Sequence, residues 1–539
     1  MGVTSIDVTL FKKMVMNGAI NLKNHQDEVN QLNVFPVPDG DTGTNMCMTI
    51  TSGVNEMMNS ESSSIIEAAK VLSRGALMGA RGNSGVILSQ FFRGVYVGLK
   101  ENTTNELDKM GMLSCLASGR NIAFKAVTEP VEGTILTVIR EAYETVNATI
   151  ESIEDAEDLL KKYLEYAKET LAKTPEMLPV LKEAGVVDSG GAGFVKIIEG
   201  WILAIDGVIL EANDAKENSS QKVESTNELK FIYDVEAVVS LKKPEAFEAN
   251  DLVATLSLVG DALTVTRNSE LVKIHVHTNK PGKVLDTCLK IGELVTTKVD
   301  NLKVKPSVKE AAEGIKEAPK KPIATIAVCF GDGIISTFRE MGVDYIISGG
   351  QTMNPSTESF VEAIKEVNAE NVIIIPNNGN VVMAAKQASN LVEDTNVAVI
   401  MAKTIAQGFS SLMYYDPEVD LDTNVANMEE AISGVVSGEV TYSVRDTEIG
   451  GVKINMNDYM GIADGEIIVS TKKKEDALKA LLEGCIKPES HMVTFFYGSD
   501  VTKDEADGLE DLVTSINKDV DVEIIEGKQD IYSYIIAVE

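Results

Sequence analysis

Leu32-Asn33-Val34-Phe35-Pro36-Val37-Pro38-Asp39-Gly40-Asp41-Thr42-Gly43-Thr44-Asn45-Met46 lies near the start of a 539-residue chain and holds its densest cluster of candidate ligands. Asp39 and Asp41, at i and i+2 with a glycine between them, can turn both carboxylates toward one hard cation while leaving room for phosphate oxygens. Magnesium takes oxygen ligands and keeps phosphate and water in its remaining positions. Thr42-Gly43-Thr44-Asn45 then opens a helix-like run whose first N–H groups and hydroxyls would face the same anion. As a bare pattern, Asp-Gly-Asp-Thr-Gly also suits a calcium loop or an Asx-rich turn.

Two further loops share the arrangement. Gly79-Ala80-Arg81-Gly82-Asn83-Ser84-Gly85 precedes a long helical stretch and offers Ser84 to phosphate, although a tight helix–helix turn would look the same. Asp188-Ser189-Gly190-Gly191-Ala192-Gly193 precedes another. Three such loops in one helical region favour a shared anion. The chain contains no GxxxxGK[ST] loop, no GxGxxG and no GxSxG elbow. A nucleotide here must be held by a less common fold.

Around these loops, residues 1–208 read as helical, with apolar positions at three- and four-residue spacing over Ser63–Leu77, Val86–Leu99 and Glu154–Ala172. Residues 209–228 are polar and read as a linker. Residues 229–302 read as a middle α/β domain, with strands at Phe231–Leu241, Leu252–Val259, Ala262–Thr266 and Leu271–Thr278. The charged stretch 303–322 reads as a second linker. Residues 323–539 alternate strands (Ile323–Cys329, Tyr345–Ile347, Val372–Ile375, Val397–Met401) with helices (Ser356–Val367, Val381–Leu391) and close with a β-α-β-β run, an α/β signature.

Composition narrows the function classes. With 49 Lys+Arg against 82 Asp+Glu, the formal charge of -33 repels nucleic acid and anionic membranes. No basic leader with an apolar core opens the sequence, and no apolar run of about 18 residues occurs, so a cytoplasmic protein without membrane insertion is expected. The five cysteines are scattered with no CxxC pair and are expected to be packed thiols. Of four histidines, His275 and His277 stand at i and i+2, a spacing that puts both on one face of a strand toward a shared ligand, or simply pairs two hydrogen-bonded histidines.

The long strings around these sites resemble a known family. The segments 32–46, Ala80–Gln90 and Val187–Gly191 resemble, in order and spacing, the nucleotide loops of DhaL-type, dihydroxyacetone-kinase-like proteins. Lys273–Asn279, Gly349–Thr357, Pro376-Asn377-Asn378 and Val444–Glu448 extend the resemblance over nearly the whole chain to the FakA-type catalytic subunits of bacterial fatty acid kinases.

That resemblance implies an all-α, barrel-like ATP domain followed by two α/β domains. Two Mg²⁺ ions are implied, with Asp39, Asp41 and Asn33 as ligands. Thr42, Gly43, Thr44, Asn45, Asn83, Ser84, Gly85, Asp188, Ser189 and Gly190 are implied around the nucleotide. Dihydroxyacetone kinases usually carry His where Thr42 stands, which favours the acyl-kinase branch. The resemblance further implies an active-site role for His275 and His277, acyl phosphate made for phospholipid synthesis, a homodimer, and a FakB-type (DegV-like) carrier docking on the C-terminal domain. A zinc ion accompanies the His pair in the family, together with a cysteine; here Asp234 stands in that place, and oxygen is a harder, less selective ligand. A kinase for a small ketone or polyol, and a non-catalytic nucleotide-binding adaptor, are the rival readings.

Overall fold

A computed structural model describes the chain except residues 1–2, 35–39, 101–104, 213–231, 243–246, 248–251, 253–254, 257–258, 269–270, 302–319, 351–353 and 444–445. The first part is helical, as the 3.6-residue spacing predicts. It runs α1 (Val8–Asn24), α2 (Gln26–Gln31), α3 (Thr42–Asn59), α4 (Ile65–Met78), α5 (Gly82–Lys100), α6 (Lys109–Lys125), α7 (Ile135–Ala148), α8 (Ala156–Met177), α9 (Pro179–Ala184) and α10 (Ser189–Ile205). Aspartate or serine caps half of these starts. Asp7, Ser64, Asp108, Asp155 and Asp188 each accept a backbone N–H of the first turn, satisfying donors that the helix itself leaves unpaired.

The core of this domain is aromatic at its centre. Phe194 of α10 meets Phe91 of α5 edge-on at 5.0 Å and Tyr163 of α8 at 6.3 Å between ring centroids. Met14, Leu22, Met46, Ile50, Leu88 and Ile139 fill the surrounding space, all essentially inaccessible. The three helices whose N-termini carry the glycine loops are therefore anchored in one packed interior.

Residues 232–301 form a four-stranded antiparallel sheet, β1 (Tyr233–Leu241), β2 (Gly260–Asn268), β3 (Leu271–Thr278) and β4 (Gly292–Asn301), in the order β2-β3-β1-β4, with α11 (Pro281–Ile291) on one face. Val235, Ala237, Val239, Val272, Ile274 and Val276 are buried and pack with Val284 and Cys288 of α11. The strand expected at Leu252–Val259 is corrected: its described residues Leu252, Thr255 and Leu256 are helical. Leu252 and Leu256, four apart and both buried, follow a helical period rather than strand alternation. Strand β4 has no counterpart in the sequence reading.

Among its described residues the C-terminal part holds two large sheets and a two-stranded hairpin. The first is parallel, β5 (Lys321–Cys329), β6 (Tyr345–Ser348), β7 (Ala369–Ile375) and β8 (Asn396–Val399), in the order β6-β5-β7-β8, with α12 (Asp332–Glu340), α13 (Thr357–Glu366), α14 (Val382–Ser389), α15 (Ile405–Leu412) and α16 (Leu421–Ser433). The strand order reverses at β5, which makes the carboxyl ends of β5–β7 the crevice where such sheets hold ligands.

The second sheet is six-stranded and mixed. Its strands are β9 (Val436–Tyr442), β12 (Tyr459–Ala463), β13 (Glu466–Thr471), β14 (Met492–Tyr497), β15 (Asp521–Glu526) and β16 (Tyr532–Val538), with the hairpin β10 (Thr447–Ile449) and β11 (Val452–Ile454) beside them. Helices α17 (Lys474–Cys485), α18 (Lys503–Asp507) and α19 (Leu509–Ile516) complete it, so the expected β-α-β-β close is present, with its helix divided at Gly508.

The chain separates into two compact units, one of Met1–Glu217 with Lys320–Glu539 and one of Asn218–Pro319. Within the first, Ala80 and Val86 of the helical part lie in the same buried cluster as Ile326, Val328, Ile347 and Phe360 of the parallel sheet and its helix. All five cysteines are buried free thiols. Among the described residues no helix is long and apolar enough to cross a membrane.

Candidate nucleotide site

Three helix N-termini, those of α3, α5 and α10, meet at one cavity of about 220 Å³. Asn33, Asp41, Thr42, Asn45, Asn83, Ser84, Asp188, Ser189 and Gly190 line it, so nine of the residues expected from sequence are gathered by the fold. A hydrogen bond of 3.2 Å from Ser189 Oγ to Thr42 Oγ1 ties the start of α10 to that of α3. Each helix start presents unpaired N–H groups and the positive end of a dipole, which together favour an anion.

Three expected residues lie elsewhere. Thr44 is turned toward α2: its hydroxyl accepts from Gln26 and Asn30 at 3.0 and 3.1 Å, and its N–H donates to Asn30 Oδ1. Gly43 and Gly85 do not line the cavity either. Gly43 packs against the Gln26 carbonyl, and Gly85 packs against Thr49, whose Oγ1 would stand 2.4 Å from any Cβ there. The glycine at 85 is thus needed for close helix packing. Gly82, at φ +60°, turns the chain into α5 beside Asn45. Asp39 lies outside the described residues.

Residues not anticipated complete the wall. Ile87, Val127, Val131, Ile135, Leu136 and Met383 make one side apolar, as a flat heterocycle requires. Glu129 adds a carboxylate, and Asn380 reaches the cavity from the C-terminal part. The stretch Val127–Leu136 carries one glycine, Gly133 at φ +81°, before the start of α7, too little punctuation to set it beside the other three loops.

The electrostatics point to a cation. Asp41, Glu129 and Asp188 line the cavity, and among the described lining residues there is no Lys or Arg. A polyphosphate beside such carboxylates needs a metal ion to bridge them. Asp41 is placed for this, because unlike the other aspartate caps its side chain makes no capping bond to its own helix. Asn83 Oδ1 is buried with no partner among the described residues, an acceptor that calls for a donor or a cation. This donor set fits a magnesium-bridged nucleotide. Asp188, by contrast, is buried and caps α10 through Gly191 N at 2.7 Å; burial pushes its carboxyl up to about 6, against the lowering effect of the amides that it accepts.

In the middle sheet, β1–β3 pairing sets Asp234 opposite His277 and Glu236 opposite His275, while β2 sets Asp261 opposite His277. His277 follows buried Val276, which packs in the α11 core, so it belongs to the opposite face of the sheet. His277 is half-buried. The side chains of Asp234 and His275 lie outside the described residues, and among the described ones no group of three or more His, Cys, Asp or Glu is poised for a metal. The zinc expectation rests on the sequence alone.

Comparison with known proteins now bears on the class. A DAK2 domain model matches residues 36–203, which makes the helical part kinase-like. Models of the FakA-like fatty acid kinase middle domain and C-terminal domain match residues 230–307 and 324–539. The chain belongs to the FakA-like family of fatty acid kinase subunits. Protein YloV of Bacillus subtilis is 40% identical over 556 residues, and an uncharacterized protein of Staphylococcus epidermidis is 40% identical over 554, each match spanning 100% of both chains.

Likeness to solved structures is weaker. A DegV-family protein from Thermus thermophilus, described for its fatty acid binding, superposes with a TM-score of 0.29 at 12% identity, over 40% of this chain and 99% of its own. The dihydroxyacetone kinase of C. freundii gives 0.26 at 14%, over 36% of this chain and 34% of its own. Neither likeness bears on the site.

Proposed function

We propose that the chain transfers the γ-phosphoryl group of ATP to the carboxylate of a fatty acid presented by a DegV-type carrier, giving acyl phosphate and ADP. The observation that carries the nucleotide half is the convergence of three helix N-termini on a cavity whose described polar lining is acidic and hydroxylic but not basic. The acceptor half is supported by family membership across the middle and C-terminal domains.

Asn33, Asp39 and Asp41 would hold magnesium, which when bound supplies positive charge to the phosphoryl group being transferred. Ser84, Ser189 and the first N–H groups of α3, α5 and α10 would donate to phosphate oxygens. The apolar wall from Ile87 to Met383 would take the base and exclude water. His275 and His277 are assigned to holding the acceptor carboxylate, which at neutral pH is already a nucleophile and needs no general base. Charge neutralisation and alignment are then the main demands on the protein.

The test mixes the chain with ATP, Mg²⁺ and oleate on a DegV-type carrier, and traps acyl phosphate as the hydroxamate. Carrier-dependent hydroxamate is the expected result. ADP release with dihydroxyacetone and no carrier would replace the fatty acid reading, and nucleotide binding without any transfer would overturn catalysis.

A further inference from the structure

We infer that the C-terminal α/β part of the chain is a working component of the nucleotide site, with Asn354 as a positioning residue that orients the Asp41 carboxylate for magnesium. This rests on reading the cavity as a magnesium–nucleotide site.

The parallel sheet places its ligand crevice at the carboxyl ends of β5–β7, and the loops leaving β6 and β7 carry Asn354 and Asn380. Here that crevice is filled by the chain itself. Asn354 Nδ2 donates to Asp41 Oδ2 at 2.6 Å across 313 positions of sequence, and Asn83 Nδ2 donates to Asn380 Oδ1 at 3.2 Å. Both contacts end on residues that line the cavity.

The orientation of Asn354 follows from chemistry. An ionised carboxylate only accepts, so the amide nitrogen must face Asp41 and the amide oxygen must face away. That oxygen is buried with no partner among the described residues, as is Asn83 Oδ1. Asn83, unlike Asn354, lines the cavity, so its unpartnered Oδ1 and the Asp41 carboxylate, which does not cap its own helix, mark a place for a cation or its bound water.

The loop holding Asn354 is fixed on its other side as well. Arg81 Nη1 donates to the Asn354 carbonyl at 2.8 Å, and Thr357 N donates to the Ala80 carbonyl at 3.1 Å. Gln387 links Gln90 and the Leu77 carbonyl at 2.9 and 3.0 Å. Asn354 itself is 2% exposed, so its amide has little freedom to leave Asp41. Hydrogen bonds of this kind to a ligating carboxylate typically contribute about 10- to 100-fold to metal affinity or activity.

The experiment is done on the full chain. Mg²⁺ is titrated at fixed ADP, and nucleotide binding is read by calorimetry for wild type, Asn354→Ala, Asn354→Ser and Asn371→Ala, a control whose amide bonds the Pro322 carbonyl. Ligand-free melting is recorded for each. The Asn354 variants should need about 10- to 100-fold more Mg²⁺ for half-maximal binding, with melting and metal-free nucleotide binding unchanged. The control should match wild type.

Wild-type metal dependence in the folded Asn354 variants would overturn the positioning role, as would an equal shift in Asn371→Ala. If Asn354→Ala does not fold, Asn354→Ser decides on the same criterion, and loss of folding in both overturns the role in favour of a purely structural one. Wild type that shows no Mg²⁺-dependent binding at all would instead remove the nucleotide reading beneath it.

Discussion

The helical cavity and the histidine sheet put chemistry on the protein surface in opposite ways. At the cavity, polar groups sit on helix starts whose other ends are locked in a large aromatic core, and separate helices bring them together. In the middle sheet, the interesting positions are neighbours by strand register alone, over a small core whose described buried residues come from β1, β3, Leu252, Leu256 and one helix. A site made by convergence fails when any one contributor shifts. A site made by register persists as long as the strands pair.

The sharpest break of that comparison is Asp41→Asn. It removes charge from a cavity that has carboxylates and no basic side chain among its described lining residues, and preorganised charge of this kind is worth about 10²- to 10³-fold. ATP-dependent product formation should fall by about that factor while the fold survives. Product formation near wild type would detach Asp41 from the metal.

His277→Ala probes the other side. Because the sheet core lies on the opposite face, the substitution should leave melting and nucleotide binding unchanged and lower acyl transfer by about 10- to 100-fold, within the range of a positioned polar group. Unchanged hydroxamate formation with carrier and oleate would take the pair out of the reaction. Zinc analysis sharpens the same point: stoichiometric metal lost in Asp234→Ala would show that an oxygen ligand suffices where the family has sulfur.

How much of each region the sequence discloses depends on the same contrast. Helix starts announce themselves locally, so the loops at 79–85 and 188–193 are readable from glycine punctuation before a helical run, with Ser84 in the first, while Asn83, Asp188 and Ser189 enter as site residues only through the family resemblance. Which member of such a loop faces the ligand is a packing question. Thr44 and Gly85 stand off the cavity because α2 and Thr49, respectively, take them up.

Asn354 falls in the Gly349–Thr357 string that carries the family resemblance, but its place at the cavity, like that of Asn380, could not be read, since nothing in a parallel sheet's loops says that its crevice will close on a helix start some 300 residues earlier. In the middle sheet the period-2 pattern gave β1, β2 and β3. It failed at Leu252–Leu256, where a short helical turn and a strand carry similar apolar content.

Gly85→Ala separates packing from chemistry at the cavity. The new methyl meets Thr49 Oγ1 at 2.4 Å, and that hydroxyl is already committed to the Asn45 carbonyl at 2.7 Å and the Arg81 N–H at 3.3 Å. Overpacking of this kind costs about 1–3 kcal/mol. Thermal unfolding should register it, and Thr49→Ala in the same chain should recover part of the loss. A melting point equal to wild type would mean that α3 and α5 can move apart freely, against a convergent site.

A pH-dependent effect, present only across a narrow window, tests whether the start of α10 is as dry as the burial of Asp188 implies. Asp188 is 5% exposed, and burial raises its carboxyl from 3.8 to about 6. Between those values the folded chain keeps a proton that the unfolded chain has released. This group therefore makes the protein lose stability as pH rises from about 4 to about 6, by up to about 3 kcal/mol at 1.36 kcal/mol per unit. Asp188→Asn retains a short oxygen acceptor for Gly191 and removes the titration. Urea unfolding without nucleotide or metal should show the variant gaining on wild type across that window and holding the gain above it. A difference independent of pH would mean that water reaches Asp188, and the α10 start would then be a solvated cap and no longer a buried contributor to a shared ligand site.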